Sequence, residues 1–207
     1  EKLFSLGLTC VVVTCGRTPP AAFCEQAERT GTPLVVCPER SSSAITALHT
    51  LLDERLAPRA REHGVMVDIF EVGVLLQGPS GIGKSECALE LVMRGHRLVA
   101  DDVVEFEYRP PGAVFGAAAP LLQYHIEVRG LGILNIKDLY GVTAVRERKR
   151  LDLVVLLELE REDREYDRIG LDDRRREVLG VPVREVCVPV RPGRNVSAII
   201  EIAARNE

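Results

Sequence analysis

The 207-residue chain predicts an α/β fold organised around a phosphate-binding loop. Three observations lead there. Gly78, Pro79, Ser80, Gly81, Ile82, Gly83, Lys84 and Ser85 satisfy the pattern G-x-x-x-x-G-K-[ST] at every required position. The apolar run at 72–76 before it reads as a buried strand. Residues 86–94 after it read as a helix, with Cys87, Ala88, Leu91 and Val92 on one face and Gly95 as its stop. Strand, glycine loop and helix are the setting in which loop N–H groups and a helix N-terminus converge on an anion. Lys84 adds a full positive charge there, and Ser85 offers a hydroxyl to a magnesium ion.

Composition bounds the rest. Apolar residues make up 46% of the chain and charged residues 28%, as in an ordinary globular protein. A net charge of −4 gives no bulk electrostatic attraction to nucleic acid, and the few aromatics leave little for base stacking. No apolar run reaches membrane-spanning length. Six cysteines, without CxxC spacing, read as buried small apolar residues in a reducing cytoplasm rather than as a zinc site. Glu1 is not a natural start, so the chain reads as clipped.

Taken in order, residues 6–14 form a β-branched run and hence a strand. Thr18-Pro19-Pro20 starts a helix over 21–29, Gly31-Thr32-Pro33 turns, and 34–37 is a short strand. Residues 41–55 read as a helix with Ala44, Ala47, Leu48, Leu51 and Leu52 on one stripe. The charged, proline-bearing 56–62 reads as a boundary. It divides 1–57, the end of an incomplete α/β domain, from 58–207, the domain with the loop. Beyond it, 65–70 and 72–76 are strands, 97–102 is a short strand ending in two acids, and 103–108 is another strand. Residues 116–122 read as a small-residue linker, and 126–135 as a second glycine-bearing stretch. Residues 151–159 are a buried strand, 160–176 a charged loop, 181–190 a strand. Asn195 caps a final helix with Val196, Ile199, Ile200 and Ala203 on one face.

A phosphate loop implies a nucleoside triphosphate but not a reaction. The surrounding acids and bases narrow it. Asp101 and Asp102 stand at a strand end and point to opposite sides, so one can serve magnesium and the other can take a proton from an attacking hydroxyl. Glu127 can complete an oxygen set with Ser85. His63 is a candidate acid–base group, and Arg168 a candidate arginine finger. A P-loop ATPase with Glu158 or Glu160 as its Walker-type acid, a nucleotide-sensing module and a small-molecule kinase are the competing readings.

The runs GVLLQGPSGIGKSECALELVMRGHRLVADDVVE, EVRGLGILNI, YDRIGL and VPVRPGRNVSAIIEIAA, in that order, resemble the HPr kinase/phosphorylase family. The resemblance covers nearly all of the chain from His63 to the end, and the stretch before it resembles the end of the family's N-terminal domain. It implies a P-loop kinase core of the PEP carboxykinase-like type. It also implies ATP-dependent phosphorylation of a serine on the phosphocarrier protein HPr, with phosphorolysis in reverse, in a cytoplasmic homohexamer. By the same resemblance Gly78 to Ser85 bind ATP, with Lys84 on the phosphates, and Ser85 and Glu127 hold Mg²⁺. The aspartate pair supplies the base, with Asp102 favoured over Asp101. His63 and Arg168 are catalytic. The resemblance ties residues 126–135 to both reactions and 189–194 to dephosphorylation. Pro79 departs from the pattern, in which an acid or small polar residue stands. A proline there removes an N–H and fixes φ, but the position is one of the variable sites of the loop, so ATP binding is expected to survive; the loss of an acid near the phosphates is what touches the balance of the two reactions.

Overall fold

A computed structural model describes residues 2–160, 174–191 and 193–207. The chain divides into two units, Glu1–Leu56 and Ala57–Glu207. In the first, β1 (Val11–Val13), α1 (Ala21–Thr30), β2 (Leu34–Val36) and α2 (Ser41–Leu56) follow one another, and β1 pairs in parallel with β2. The strand expected over 6–14 is shorter than its composition suggests. Phe4–Leu6 winds as a 3₁₀ turn closed by Gly7 at φ 65°, so only the valines extend. Helix α2 forms where its periodicity predicts, but Leu48, Leu51 and Leu52 of its stripe are exposed and only Ala44 is buried.

The second unit runs β3 (Arg59–His63), β4 (Val65–Ile69), β5 (Val72–Gln77), α3 (Lys84–Met93), β6 (Arg97–Ala100), β7 (Val103–Arg109), β8 (Ala113–Ala118), β9 (His125–Val128), β10 (Gly132–Asn135), α4 (Ile136–Tyr140), β11 (Arg148–Arg150), β12 (Leu153–Leu159), β13 (Arg175–Val178), β14 (Val181–Val190) and α5 (Val196–Arg205). Among the described residues the principal sheet has the order β13-β14-β12-β5-β4-β6. Strands β5, β12 and β14 are parallel, and β4 and β13 run against them. A second sheet, β11-β8-β7-β3, is antiparallel, and β9 and β10 form a separate hairpin.

Three layers result. One face of the principal sheet (Val67, Val74, Leu76, Val155 and Leu157 among others) packs on Ala88 and Leu91 of α3 and Ile200 and Ala203 of α5. The other face (Met66, Leu75, Val154) packs on Val104, Phe106, Val114 and Ala118 of the second sheet. A strand covered on both faces has no polar side to show, which is why β4 is buried along its whole length.

The boundary read at 56–62 falls at the start of that stretch, between Leu56 and Ala57. The rest of it is strand: Arg59 to His63 form β3, paired antiparallel with β7. Its alternating charges reflect an exposed face, with Arg61 paired to Glu105 and Arg59 to Glu107. One expectation is corrected: residues 116–122 are not a linker, because Ala113 to Ala118 form β8. The small residues are there because the layers approach closely: a Cβ at Gly116 would lie 2.9 Å from Phe106 and Val104 and collide with the Met66 sulfur. The basic run at 146–150 also has a structural use. Arg146, at 3.0 Å, and Lys149, at 3.6 Å, neutralise Asp68, which is buried between the layers. None of the six cysteines is in a disulfide, and only Cys87 is buried, while Cys10 and Cys15 are exposed. Burial pushes the Cys87 thiol up to about 11. No helix among the described residues is long and apolar enough to cross a membrane.

Close approach also governs Gly73 on β5, where an added Cβ would run into the Arg150 carbonyl. That obstacle is backbone, and Gly73 is further tied to Asp152, whose carboxylate accepts its N–H at 2.8 Å. Gly73→Ala is expected to lower stability by about 3 kcal/mol, the upper end of ordinary overpacking. A urea melt checks this; an unchanged midpoint would mean that β5 and the 150–152 stretch can part at no cost.

Candidate active site

Direction in the principal sheet decides where the chemistry gathers. Strand β5 runs into the glycine loop. Strand β6 is antiparallel to β4 and so points the same way as β5, delivering Asp101 and Asp102 to the same edge. Such an edge, at the carboxyl ends of strands, is where α/β sheets hold ligands. A cleft of about 220 Å³ opens there, lined by Ser80, Gly81, Gly83, Lys84, Ser85, Asp101, Asp102, Glu127 and Arg129 among others.

Helix α3 starts at Lys84, two residues earlier than its periodicity suggests, so Lys84 and Ser85 sit on its first turn with its unpaired N–H groups. The Lys84 ammonium donates to the carbonyls of Gly78 and Pro79, each at 3.0 Å. The Ile82 N–H also reaches the Pro79 carbonyl, at 3.3 Å. The loop is thus held in a closed turn by its own groups, and Pro79 takes part through its carbonyl.

The two aspartates differ sharply. Asp101 is 7% exposed and has both oxygens engaged. The Ser85 hydroxyl donates to Oδ1 at 2.9 Å, and the Glu127 backbone N–H donates to Oδ2 at 2.8 Å. Burial pushes its carboxyl above the usual range, and those two hydrogen bonds oppose the shift. The Asp102 side chain is 78% exposed, and its Oδ1 lies 3.8 Å from Nδ1 of His63. Asp102 adopts φ 65°, in the left-handed region, which turns its side chain away from that of Asp101.

His63 ends β3, opposite Val103 in register, and so arrives beside Asp102 from the second sheet. Glu127, on β9, projects into the cleft while its N–H holds Asp101. The structure therefore brings His63, Lys84, Ser85, Asp101, Asp102 and Glu127 together. Arg168 lies outside the described residues. Among the alternatives for a Walker-type acid, Glu160 is engaged by Arg191 at 3.4 Å and Arg194 at 3.7 Å.

Arg129 was not singled out by sequence reasoning. Its guanidinium lies over the loop, so that a Cβ on Gly81 would be 3.0 Å from either terminal nitrogen. A lone arginine in a glycine-rich stretch gives no local sign of where it points; only the β9–β10 turn folding against the loop does.

Among the described residues no three His, Cys, Asp or Glu side chains are arranged to hold a metal by themselves. Mg²⁺ does not ask for that. It takes one or two carboxylates and keeps waters and phosphate oxygens for the rest. Ser85 and Glu127 on one cleft, with Asp101 holding both segments, are hard oxygen donors of that kind.

Residues 54–207 match the family described as HPr Serine kinase C-terminal domain, and residues 1–52 the one described as HPr Serine kinase N terminus. The chain is 52% identical over 206 residues to the HPr kinase/phosphorylase of Geobacter sulfurreducens, covering all of this chain and 65% of that protein. It is 44% identical over 209 residues to the HPr kinase/phosphorylase of Leptospira biflexa, again covering all of this chain and 65% of the relative. The chain thus spans a little under two thirds of those relatives. A solved structure, the Hpr(Ser) kinase/phosphatase from Coxiella burnetii, superposes with a TM-score of 0.66 at 32% identity, over 71% of this chain and 89% of that one. With both family descriptions matched over nearly the whole chain, the chain belongs to the HPr serine kinase family.

Proposed function

We propose that this chain carries the catalytic machinery of a protein serine kinase that moves the γ-phosphoryl group of ATP onto a serine of HPr, and that the same site runs the transfer backwards by phosphorolysis. Its core is read as a P-loop kinase core of the PEP carboxykinase-like type, residues 58–207, preceded by the end of a small α/β domain. The observation that carries the reading is Asp102: an exposed carboxylate beside His63, at the mouth of a cleft floored by Lys84 and Ser85.

In the forward direction the serine hydroxyl attacks the γ-phosphorus, its proton passes to the Asp102 carboxylate, and the bond to the β-phosphate oxygen breaks to release ADP. His63, 3.8 Å from Asp102, orients that carboxylate. Lys84 leaves the loop carbonyls for the phosphates. Asp101 keeps the Ser85 hydroxyl and the Glu127 strand in register. Ser85 and Glu127 would hold Mg²⁺, which supplies charge neutralisation on the phosphates when bound. Arg168 is assigned to the transferring phosphoryl group on family resemblance alone. In reverse, an oxygen of inorganic phosphate attacks the phosphorus of phosphoserine, the bond from phosphorus to the serine oxygen breaks, and that oxygen takes a proton from Asp102, which starts protonated. Pyrophosphate leaves. Pro79 stands where the family carries an acid or a small polar residue, so an acid near the phosphates is lost and the balance between the two directions is what this departure touches. A role in carbon catabolite control, in a cytoplasmic homo-oligomer, a hexamer by resemblance, follows the same reading.

The test uses γ-labelled ATP, Mg²⁺ and the host's HPr, followed by excess phosphate. Label is expected on a serine of HPr and then in pyrophosphate. Steady ATP hydrolysis with no labelled acceptor would replace this reading with an ATPase.

A further inference from the structure

The side chain of His63 is 86% exposed, and its ion-pair contact is with Asp102. Little packs around the ring, so the backbone must set where it stands. The peptide unit joining His63 to Gly64 is rigid and planar, and it is held at both ends. Its N–H donates to the Asp102 carbonyl at 2.9 Å. Its carbonyl accepts from Nε2 of Gln77 at 3.1 Å.

Gln77 is fixed in turn. Its Nε2 also donates to Oε2 of Glu62 at 3.0 Å, and its Oε1 accepts from Nη1 of Arg176. The amide has two N–H bonds and one carbonyl, and all are used, so it cannot flip without losing partners. Arg176 closes the ring: Nη2 donates to the same Glu62 Oε2 at 2.9 Å. Its charge-assisted bonds span two partners with one planar group, which a lysine cannot do.

The positions of these residues are what give the ring a role. Glu62 immediately precedes His63 on β3, in the second sheet. Gln77 is the last residue of β5 and immediately precedes Gly78. Arg176 lies on β13 of the principal sheet. The ring therefore ties the strand that ends in His63 to the strand that enters the glycine loop. Polar groups partly shielded from water make such a link costly to break, since each lost bond leaves a partner unsatisfied.

We infer that Glu62, Gln77 and Arg176 form a positioning clamp that fixes His63 and, through one peptide unit, Asp102 relative to the glycine loop; the catalytic consequence rests on the phosphotransfer reading above. None of the three touches the reacting atoms. Loosening the clamp should therefore affect turnover and not nucleotide affinity, because near-attack geometry is sensitive to small displacements.

Arg176→Ala and Gln77→Met are the variants, the second keeping side-chain length without polar ends. Amide hydrogen exchange is read at Gly64, with Val155 of β12 as the core reference. In both variants Gly64 is expected to exchange about tenfold faster with Val155 unchanged, and kcat for HPr phosphorylation to fall about tenfold with KM for ATP within about twofold. Arg176→Lys should recover part of both. Unchanged exchange at Gly64, or equal acceleration at Gly64 and Val155, would overturn the clamp; so would normal kcat in a variant whose Gly64 exchange has risen. Exchange is measured without substrates. Wild-type protein that moves no phosphoryl group would therefore sink the functional reading, while the exchange data judge the clamp separately.

Discussion

Lys84→Ala is expected to cut phosphoryl transfer to HPr about a thousandfold while leaving the fold intact. A unit charge about 4 Å from a phosphate oxygen, at an effective dielectric of about 20, contributes roughly 4 kcal/mol. Each 1.36 kcal/mol is about tenfold in rate. The fold should survive because, among the described residues, the Lys84 amine bonds to the carbonyls of Gly78 and Pro79 alone, in part-exposed positions. Lys84 also opens α3, where alanine is an equally good helix former. Single-turnover transfer and a thermal melt read the two halves separately. Wild-type transfer in this variant would remove Lys84 from the site.

Asp102→Asn should have a comparable effect with a different signature. Asparagine keeps the size of the side chain and removes its ability to accept a proton, a loss of about 10²- to 10⁴-fold for a general base. Nucleotide affinity should hardly move, since Asp102 is exposed and bonds neither Ser85 nor the loop. Phosphorylation and phosphorolysis should fall together, because in the proposed mechanism the same carboxyl takes the proton in one direction and returns it in the other. Asp101→Asn is the contrasting variant. Its two oxygens serve the Ser85 hydroxyl and the Glu127 N–H, so it should raise KM for ATP as well as lower kcat. The assignment of roles within the pair would be reversed if Asp102→Asn weakened ATP binding and Asp101→Asn did not.

Much of this was legible in the chain. The glycine loop and its flanking strand and helix could be read locally because each depends on short-range spacing. Asn195, whose side chain accepts from the Ala198 N–H at 2.9 Å, is another such case. The two aspartates could be seen as different but not told apart. What separates them is the Glu127 N–H, which comes from a strand distant in sequence. Residues 116–122 were misread for a related reason. Glycine and alanine look like a linker until the Met66 sulfur and the Phe106 ring are seen pressing on β8. The stripe on α2 was a correct reading of a helix and a poor guide to burial, because periodicity says which side is apolar and not whether anything covers it. Arg129, Gln77 and Arg176 were invisible: each is an ordinary polar residue on its own segment, and its use exists only in the fold.

The backbone of Asp102 narrows what evolution can do with this position. At φ 65° most side chains pay a steric cost, and glycine, asparagine and aspartate are the residues that enter that region readily. Of those three only aspartate can carry off a proton. Glutamate would bring a carboxylate but not the tolerance for the turn; asparagine and glycine would bring the tolerance without the carboxylate. Two filters, one steric and one chemical, leave a single residue in their overlap. Drift at position 102 is therefore blocked twice over, even in a descendant that ran only one of the two proposed reactions.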